Sequence, residues 1–168
     1  MHQVVVADAG PLIGLARIGR LSLLMALYGP VVVPPAVLAE LNLDADRPGS
    51  RNLAAAFAQG AIQCLDLASG SEVELHRLGL LLDAGEASAI LLAEQIPSRF
   101  LLIDERRGRE IAHRRGGPVV GLAGVLLAAQ RMGLLDSVGR VLTELSQQGY
   151  RLSDALVAEI LRLAGEIA

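Results

Sequence analysis

The chain contains no lysine, and this absence excludes several kinds of enzyme. All 15 basic residues among its 168 residues are arginine. Walker-type nucleotide sites, pyridoxal phosphate Schiff bases and the phosphoaspartate chemistry of receiver and haloacid-dehalogenase-like domains each need a lysine ammonium group. The protein therefore belongs to none of these classes.

Cysteine, aromatic residues and positive net charge are also scarce. The one cysteine, Cys64, forms no internal disulfide, and its place in the strand-like segment AIQCLDL predicts a core residue rather than a reactive one. Aromatic residues make up 2% of the chain, which argues against an extended surface for stacking bases. The net charge of −3 argues against a protein that coats duplex nucleic acid through a surplus of positive charge.

Long hydrophobic runs are missing, although 52% of the residues are hydrophobic and the mean hydropathy is +0.47. The most apolar windows, PVVGLAGVLLAA and LGLLL, are shorter than the roughly 20 residues that a membrane-spanning helix needs. The start MHQVVVAD has no basic region of the kind that opens a signal peptide. We therefore expect a cytoplasmic protein without membrane segments, whose surplus apolar surface is covered by a second copy of the chain or by a partner protein.

Short apolar runs alternate with helical segments along most of the chain. The runs predict strands over residues 3–7, 31–33, 61–65, 100–103 and 118–120. Helices are predicted over residues 11–25, 35–41, 51–59, 71–82, 85–96 and 105–114. This alternation is typical of an α/β fold with a mostly parallel sheet that is covered on both faces. Residues 121–168 read as helices, with Ser153 as a candidate N-cap. We expect a single domain over residues 1–168.

Two predicted strands end on an aspartate. Asp8 follows the run VVVA, and Asp104 follows FLLI. Ligands of open parallel sheets bind beyond the carboxyl ends of the strands, so both side chains are candidates for a functional site. Each also has a structural interpretation, because Asp8 before Gly-Pro suits a turn and Asp104 suits the N-cap of the next helix.

Two glutamates are further candidates. Glu86 lies in LLDAGEASAILLAEQI, on the same helical stripe as Ala89, Ile90 and Ala93, where a carboxylate is costly unless it has a partner. A glutamate in a first turn is also favoured by the helix dipole, and Asp83 is the alternative acid at this place. Glu40 ends PPAVLAEL, where a solvent-exposed helix face explains it equally well.

Four carboxylates at one edge of a sheet would repel one another unless a cation lay among them. Carboxylate oxygens without histidine or cysteine favour Mg²⁺ or Mn²⁺ over zinc. The three histidines, His2, His76 and His113, have no spacing typical of a metal site. Because a carboxylate-bound Mg²⁺ polarises a phosphoryl oxygen and activates water, the predicted chemistry is phosphodiester hydrolysis.

Several arginines follow the second aspartate, in the segment ERRGREIAHRRGG. The guanidinium group binds phosphate through two parallel hydrogen bonds. Arg106 and Arg107 are the best candidates for contact with a phosphate, because they are nearest to Asp104. The other arginines of the segment are expected to face solvent or a partner.

Taken together, these segments resemble a known family, the PIN-domain proteins, and most closely a prokaryotic PIN-like subfamily related to VapC-type toxins. VVVADAGPLIGLARIG is similar to the family's opening strand and first acid, and VVVPPAVLAEL, LLDAGEASAILLA and FLLIDERRGREIAHRRG are similar to its next three motifs. VVGLAGVLLAAQRMGLL and GYRLSDALVAEIL resemble the subfamily's C-terminal part. The resemblance covers nearly the whole chain.

The resemblance implies a three-layer α/β/α domain with a helical C-terminal part, over about 121–168, and ribonuclease activity that depends on Mg²⁺ or Mn²⁺. It places the four family acids on Asp8, Glu40, Glu86 and Asp104. Asp8, Glu86 and Asp104 would hold the metal, and Glu40 would orient the attacking water or a second ion. It also implies a toxin neutralised by an antitoxin protein, and a homodimer. Two departures bear on metal affinity and rate: Ala9-Gly10 stands where many members have Ser or Thr, and the third acid is a glutamate.

Two hypotheses follow for the function. The first is a metal-dependent endoribonuclease, the toxin of a toxin–antitoxin pair, that cuts single-stranded or structured RNA. The second is a PIN-like module with weak or no turnover that binds RNA or a protein partner. A dimeric scaffold that uses only its apolar surface is a third, weaker alternative.

Overall fold

The computed structural model describes residues 3–168 and contains one five-stranded sheet in these residues. Its strands are β1 (Val4–Ala7), β2 (Val31–Val33), β3 (Ile62–Cys64), β4 (Ser98–Leu102) and β5 (Val119–Val120). They lie in the order β3-β2-β1-β4-β5, and every neighbouring pair is parallel. The predicted parallel sheet is thus confirmed, with all five strands at the predicted places.

Ten helices surround the sheet within residues 3–168. They are α1 (Ala9–Arg17), α2 (Ser22–Tyr28), α3 (Pro35–Leu41), α4 (Ser50–Ala58), α5 (Glu72–Gly79), α6 (Ala84–Gln95), α7 (Arg106–Arg114), α8 (Leu122–Arg131), α9 (Val138–Gln147) and α10 (Asp154–Leu163). This arrangement is the predicted three-layer α/β/α fold, with three helices in the C-terminal part. Ser153 caps α10 as expected, because its side chain accepts from the Leu156 N–H.

One predicted helix is wrong. The segment 11–25 forms two helices, α1 and α2, rather than one. Gly19 has a φ of +70°, a left-handed conformation that glycine adopts without strain, and the Arg20 N–H donates to the Leu15 carbonyl at 2.9 Å. This glycine-based helix end breaks the apolar run, which by its periodicity alone reads as continuous.

Strands β1, β2 and β4 are buried over most of their length, as their unbroken apolar runs predict, whereas β3 is largely exposed and β5 is half-buried. Val5, Val6 and Ala7 of the central strand β1 have no exposed surface. The same hydrophobic cluster includes Leu145 of α9 and Ile160 of α10, so the C-terminal helices pack onto the core that the sheet begins.

Three smaller expectations have mixed outcomes. Cys64 is exposed, so its predicted core position is wrong; it lies on β3, the strand at one edge of the sheet. His76 and His113 are exposed, and His2 lies outside the described residues. No helix within residues 3–168 is long and apolar enough to cross a membrane.

The strand order creates a crevice beside the central strand. The chain runs from β1 to β2 and β3 on one side, and β4 and β5 lie on the other side of β1. In parallel sheets, the carboxyl ends of two neighbouring strands whose connections leave in opposite directions border an open crevice, where ligands bind. Here those strands are β1 and β4, and both are followed by an aspartate.

Candidate functional site

The two strand-end aspartates leave the sheet side by side. Ala7 and Leu102, the last residues of β1 and β4, are partners in the parallel register. The next residue, Asp8, donates its backbone N–H to the Leu102 carbonyl at 2.9 Å. The sheet therefore sets Asp8 and Asp104 at the same rim, as the two apolar runs indicate.

Asp8 is buried, and one of its two carboxylate oxygens has no hydrogen-bond partner within residues 3–168. Its side chain is 7% exposed, and its Oδ1 has no hydrogen-bond partner within residues 3–168. Burial, against a lowering by the Ala9 N–H and with added repulsion from Glu40, Asp83 and Asp104, raises the pKa of Asp8 from 3.8 to about 6. A buried carboxylate oxygen without a donor is costly, so a turn-forming role leaves this oxygen unexplained.

Glu86 lies at the N-terminus of α6 and shares a capping box with Asp83. The Glu86 N–H donates to Asp83 Oδ1 at 2.8 Å, and Glu86 Oε2 accepts from the Asp83 N–H at 3.2 Å. The structural alternative for Glu86, a first-turn carboxylate, is thus seen directly. Yet Glu86 is 8% exposed, and burial followed by repulsion from Asp83 raises its pKa to about 7, with Asp8 among its further neighbours.

Glu40 reaches the same rim from the last turn of α3. Its carboxyl group lies so close to Gly85 that a Cβ on that glycine would be 2.8 Å from the Glu40 Cδ. Although the residue is exposed, desolvation of its carboxyl group raises the pKa of Glu40, repulsion from Asp83 and Glu86 adds to this, and the Gly85 N–H lowers it. The absence of a side chain at Gly85 is what admits Glu40 to the N-terminus of α6.

Asp104 has a donor on each oxygen. Oδ1 accepts from the Leu122 N–H at 3.0 Å, at the first residue of α8, and Oδ2 accepts from the hydroxyl of Tyr150. The structural alternative for Asp104, the N-cap of α7, is wrong. Glu105 caps α7 instead, because its side chain accepts from the Gly108 N–H at 2.7 Å.

Tyr150 is a site residue that sequence patterns did not reveal. It supplies a hydroxyl group at the rim, whereas Ala9-Gly10, which stands where many family members have Ser or Thr, supplies none. Burial and the neighbouring Asp104 raise the pKa of Tyr150 far above its ordinary value, so the hydroxyl keeps its proton and remains a donor. Gly149, directly before it, indicates a helix end that turns the chain back, but it does not indicate which residues Tyr150 then contacts.

The arginines of α7 differ in their surroundings. Arg106 pairs with Glu110 at 3.1 Å, and its side chain is 91% exposed. Arg107 is exposed. Arg109, which was not among the predicted phosphate contacts, donates to the Ile103 carbonyl at 3.2 Å. A cavity of about 670 Å³ beside Asp104 is lined by Arg106 and Arg109 and by apolar residues of β5 and α10.

The carboxylates suit a hard divalent cation by chemistry. All are oxygen donors, and the unpartnered Asp8 Oδ1 is a buried acceptor that a cation would satisfy. Within residues 3–168, however, no three His, Cys, Asp or Glu side chains are grouped closely enough to hold one ion. The acids thus share a rim without forming a ready coordination sphere, as expected of like charges that repel one another.

Comparison with known families agrees with this architecture. A family model described as a PIN domain matches residues 4–166, nearly the whole chain. Searches of the curated proteins and of the solved structures found no match. The chain belongs to the PIN-domain family, whose fold is nuclease-like and whose members generally use divalent metals; membership of this family suggests RNA binding.

Proposed function

We propose that this PIN-domain chain is a divalent-metal-dependent endoribonuclease. One observation carries the proposal: Asp8 Oδ1 is buried at the crevice between β1 and β4, without a hydrogen-bond partner within residues 3–168. Around it lie carboxylates from separate elements, which raise its pKa. A cation among them would satisfy the oxygen and offset the repulsion.

In this proposal Asp8, Glu86 and Asp104 hold Mg²⁺ or Mn²⁺. The ion, when bound, polarises a phosphoryl oxygen and lowers the pKa of a bound water. Two donors hold the Asp104 carboxylate in one orientation. The Asp8 carboxylate is buried and therefore shielded from bulk water. Glu40 is the exposed acid, and its raised pKa suits it to orient a water molecule and accept its proton.

The RNA backbone would lie along α7. A polyanion is repelled by the acids, so its phosphates need positive contacts nearby. Arg106 and Arg107 are exposed and close in sequence to Asp104, and the cavity beside Asp104 gives a strand room to pass. We propose these two arginines as phosphate contacts.

The biological role we propose is that of a cytoplasmic toxin, neutralised by an antitoxin protein and assembled as a homodimer. Large apolar side chains support a protein partner, since Leu80 is 73% exposed, Met132 71% and Val73 63%. A small open reading frame directly upstream would favour the toxin role. Size measurement in solution, with and without the product of that frame, tests the assembly.

The test of the enzymatic proposal is cleavage of single-stranded RNA by purified protein with Mn²⁺. The wild type should cut, EDTA should stop it, and Asp8→Asn should be inactive. Asp46→Asn, at an exposed loop aspartate, is the matched control and should cut like the wild type. Cleavage by Asp8→Asn at the wild-type rate would show that a contaminating nuclease is responsible.

A second candidate function is an RNA- or protein-binding module with little turnover. It is favoured by the lack of a closely grouped set of three acids in residues 3–168. This module would bind RNA equally well with EDTA or Mn²⁺ and would leave it intact. Metal-dependent cleavage that Asp8→Asn abolishes would exclude it.

A further inference from the structure

We propose that Tyr150 is a positioning residue of the metal site, which fixes the carboxylate of Asp104 through its hydroxyl. The inference rests on the proposed function, because it concerns the metal that Asp104 would bind. It assigns a role in that site to the C-terminal part of the chain, which supplies none of the four acids.

The hydrogen bonds of Asp104 define the role. A carboxylate has about four lone-pair positions, two on each oxygen. The Leu122 N–H takes one on Oδ1, and the Tyr150 hydroxyl takes one on Oδ2. With a donor on each side, the carboxylate is held against rotation, and one position on each oxygen is left for an ion. Groups that orient a ligand in this way strengthen metal binding.

Tyr150 is itself held in place from two directions. Its N–H donates to the Leu145 carbonyl at 2.9 Å, at the end of α9, where Gly149 turns the chain with a φ of +85°. Its ring lies on α1 at Gly14, where a Cβ would be 2.8 Å from the ring Cδ2. Gly14 therefore leaves the space that brings the hydroxyl to Asp104, and α1, which begins directly after Asp8, sets the ring's position.

The first experiment measures Mn²⁺ affinity by calorimetry or by electron paramagnetic resonance of the free ion. We expect Tyr150→Phe to weaken Mn²⁺ binding by about 10–100-fold, the usual loss when a group that orients a metal ligand is removed. Tyr28→Phe removes the hydroxyl of the only other tyrosine, whose ring packs edge-on against Phe100, and should bind Mn²⁺ like the wild type.

A second variant moves the tyrosine without changing it. Gly14→Ala pushes the ring away from α1 and should weaken Mn²⁺ binding in the same way. Gly79→Ala, at the last residue of α5, meets nothing within 4 Å and is the control. Because both changes act through one hydrogen bond, Gly14→Ala combined with Tyr150→Phe should bind no more weakly than the weaker single variant.

The third measurement is spectroscopic. The chain has two tyrosines and no tryptophan, so in a Tyr28→Phe background Tyr150 alone gives the tyrosine absorption band. A phenol that donates to a carboxylate absorbs at longer wavelength, and an ion on that carboxylate weakens the bond. Mg²⁺ should therefore shift the band with the same half-saturation as its binding, and Asp104→Asn should remove the shift.

The outcomes separate this inference from the proposed function. If the wild type binds no divalent metal, the proposed metal site is wrong, and the role of Tyr150 falls with it. If the wild type binds Mn²⁺ and Tyr150→Phe matches it, only the role of Tyr150 is wrong. That role is also wrong if Tyr150→Phe lowers the melting temperature but leaves Mn²⁺ affinity unchanged, because the hydroxyl is then only structural.

Discussion

Replacing Asp8 with asparagine is expected to stabilise the metal-free protein at pH 8 and to abolish its response to divalent metal. The pKa of Asp8 is about 6 in the folded chain, above its ordinary value of 3.8. Between these values the folded chain holds more protons than the unfolded chain, so the contribution of Asp8 to stability falls as the pH rises. The free energy of unfolding contributed by Asp8 has fallen by about 3 kcal/mol at pH 8, and by about half of that at pH 5, relative to low pH.

Asparagine removes this loss because it carries no charge. Part of the gain is cancelled where the new amide finds no acceptor, so a net gain of about 1–3 kcal/mol is expected at pH 8. For a domain of this size, that corresponds to a rise in melting temperature of about 2–10 °C. At pH 5 the gain should be smaller by about 1.5 kcal/mol, since the wild type is then mostly protonated at Asp8.

The assay is thermal unfolding in EDTA at pH 5 and pH 8, followed by circular dichroism. Asp46→Asn, at an exposed aspartate, should leave the melting temperature unchanged at both pH values. A lower melting temperature for Asp8→Asn at pH 8, or an equal gain at both pH values, would refute the reasoning, because Asp8 would then not be an ionised group destabilised by burial.

Three further predictions use the same purified protein. Mg²⁺ or Mn²⁺ at 100 times its dissociation constant should stabilise the wild type by about 2.7 kcal/mol, and a melting temperature that metal leaves unchanged would contradict the site. Glu166→Ala should lower the free energy of unfolding by about 1–2 kcal/mol. Glu166 caps α9, because it accepts from the Val138 N–H at 2.6 Å and from the Gly139 N–H at 3.0 Å. The metal-induced rise in melting temperature should persist in this variant, and its loss would link this cap to the site. Arg106→Gln and Arg107→Gln should each weaken RNA binding and reduce the slope of log affinity against log salt by about 0.7, and an unchanged slope would place the phosphates elsewhere.

The acids at the strand ends could be predicted from the sequence because their placement depends only on local patterns. An apolar run that is buried on both faces indicates a central parallel strand, and such strands end at one rim. Asp8 and Asp104 follow such runs directly, so their meeting at the rim follows from the fold class. The roles of these residues in metal binding remain predictions.

Other contributions depend on contacts between distant parts of the chain, which local patterns do not contain. Tyr150 reaches Asp104 only because Gly149 ends α9 beside α1 and Gly14 leaves room for the ring. Cys64 is exposed because β3 lies at the edge of the sheet, and a strand's place in the sheet order is not written in its own residues.

Helix N-termini allow the chain to carry its four acids at one rim without an ion. Each lies at a helix N-terminus, where unpaired N–H groups supply partial positive charge. Asp8 directly precedes α1, and Asp104 accepts from the first N–H of α8. Glu86 lies in the first turn of α6, and the carboxyl group of Glu40 reaches the Gly85 N–H there from the last turn of α3. Three helix ends, those of α1, α6 and α8, thus stabilise the carboxylates at one rim. In the proposed site a divalent ion would bind among these helix ends, and its affinity would depend on how firmly each carboxylate is already aimed.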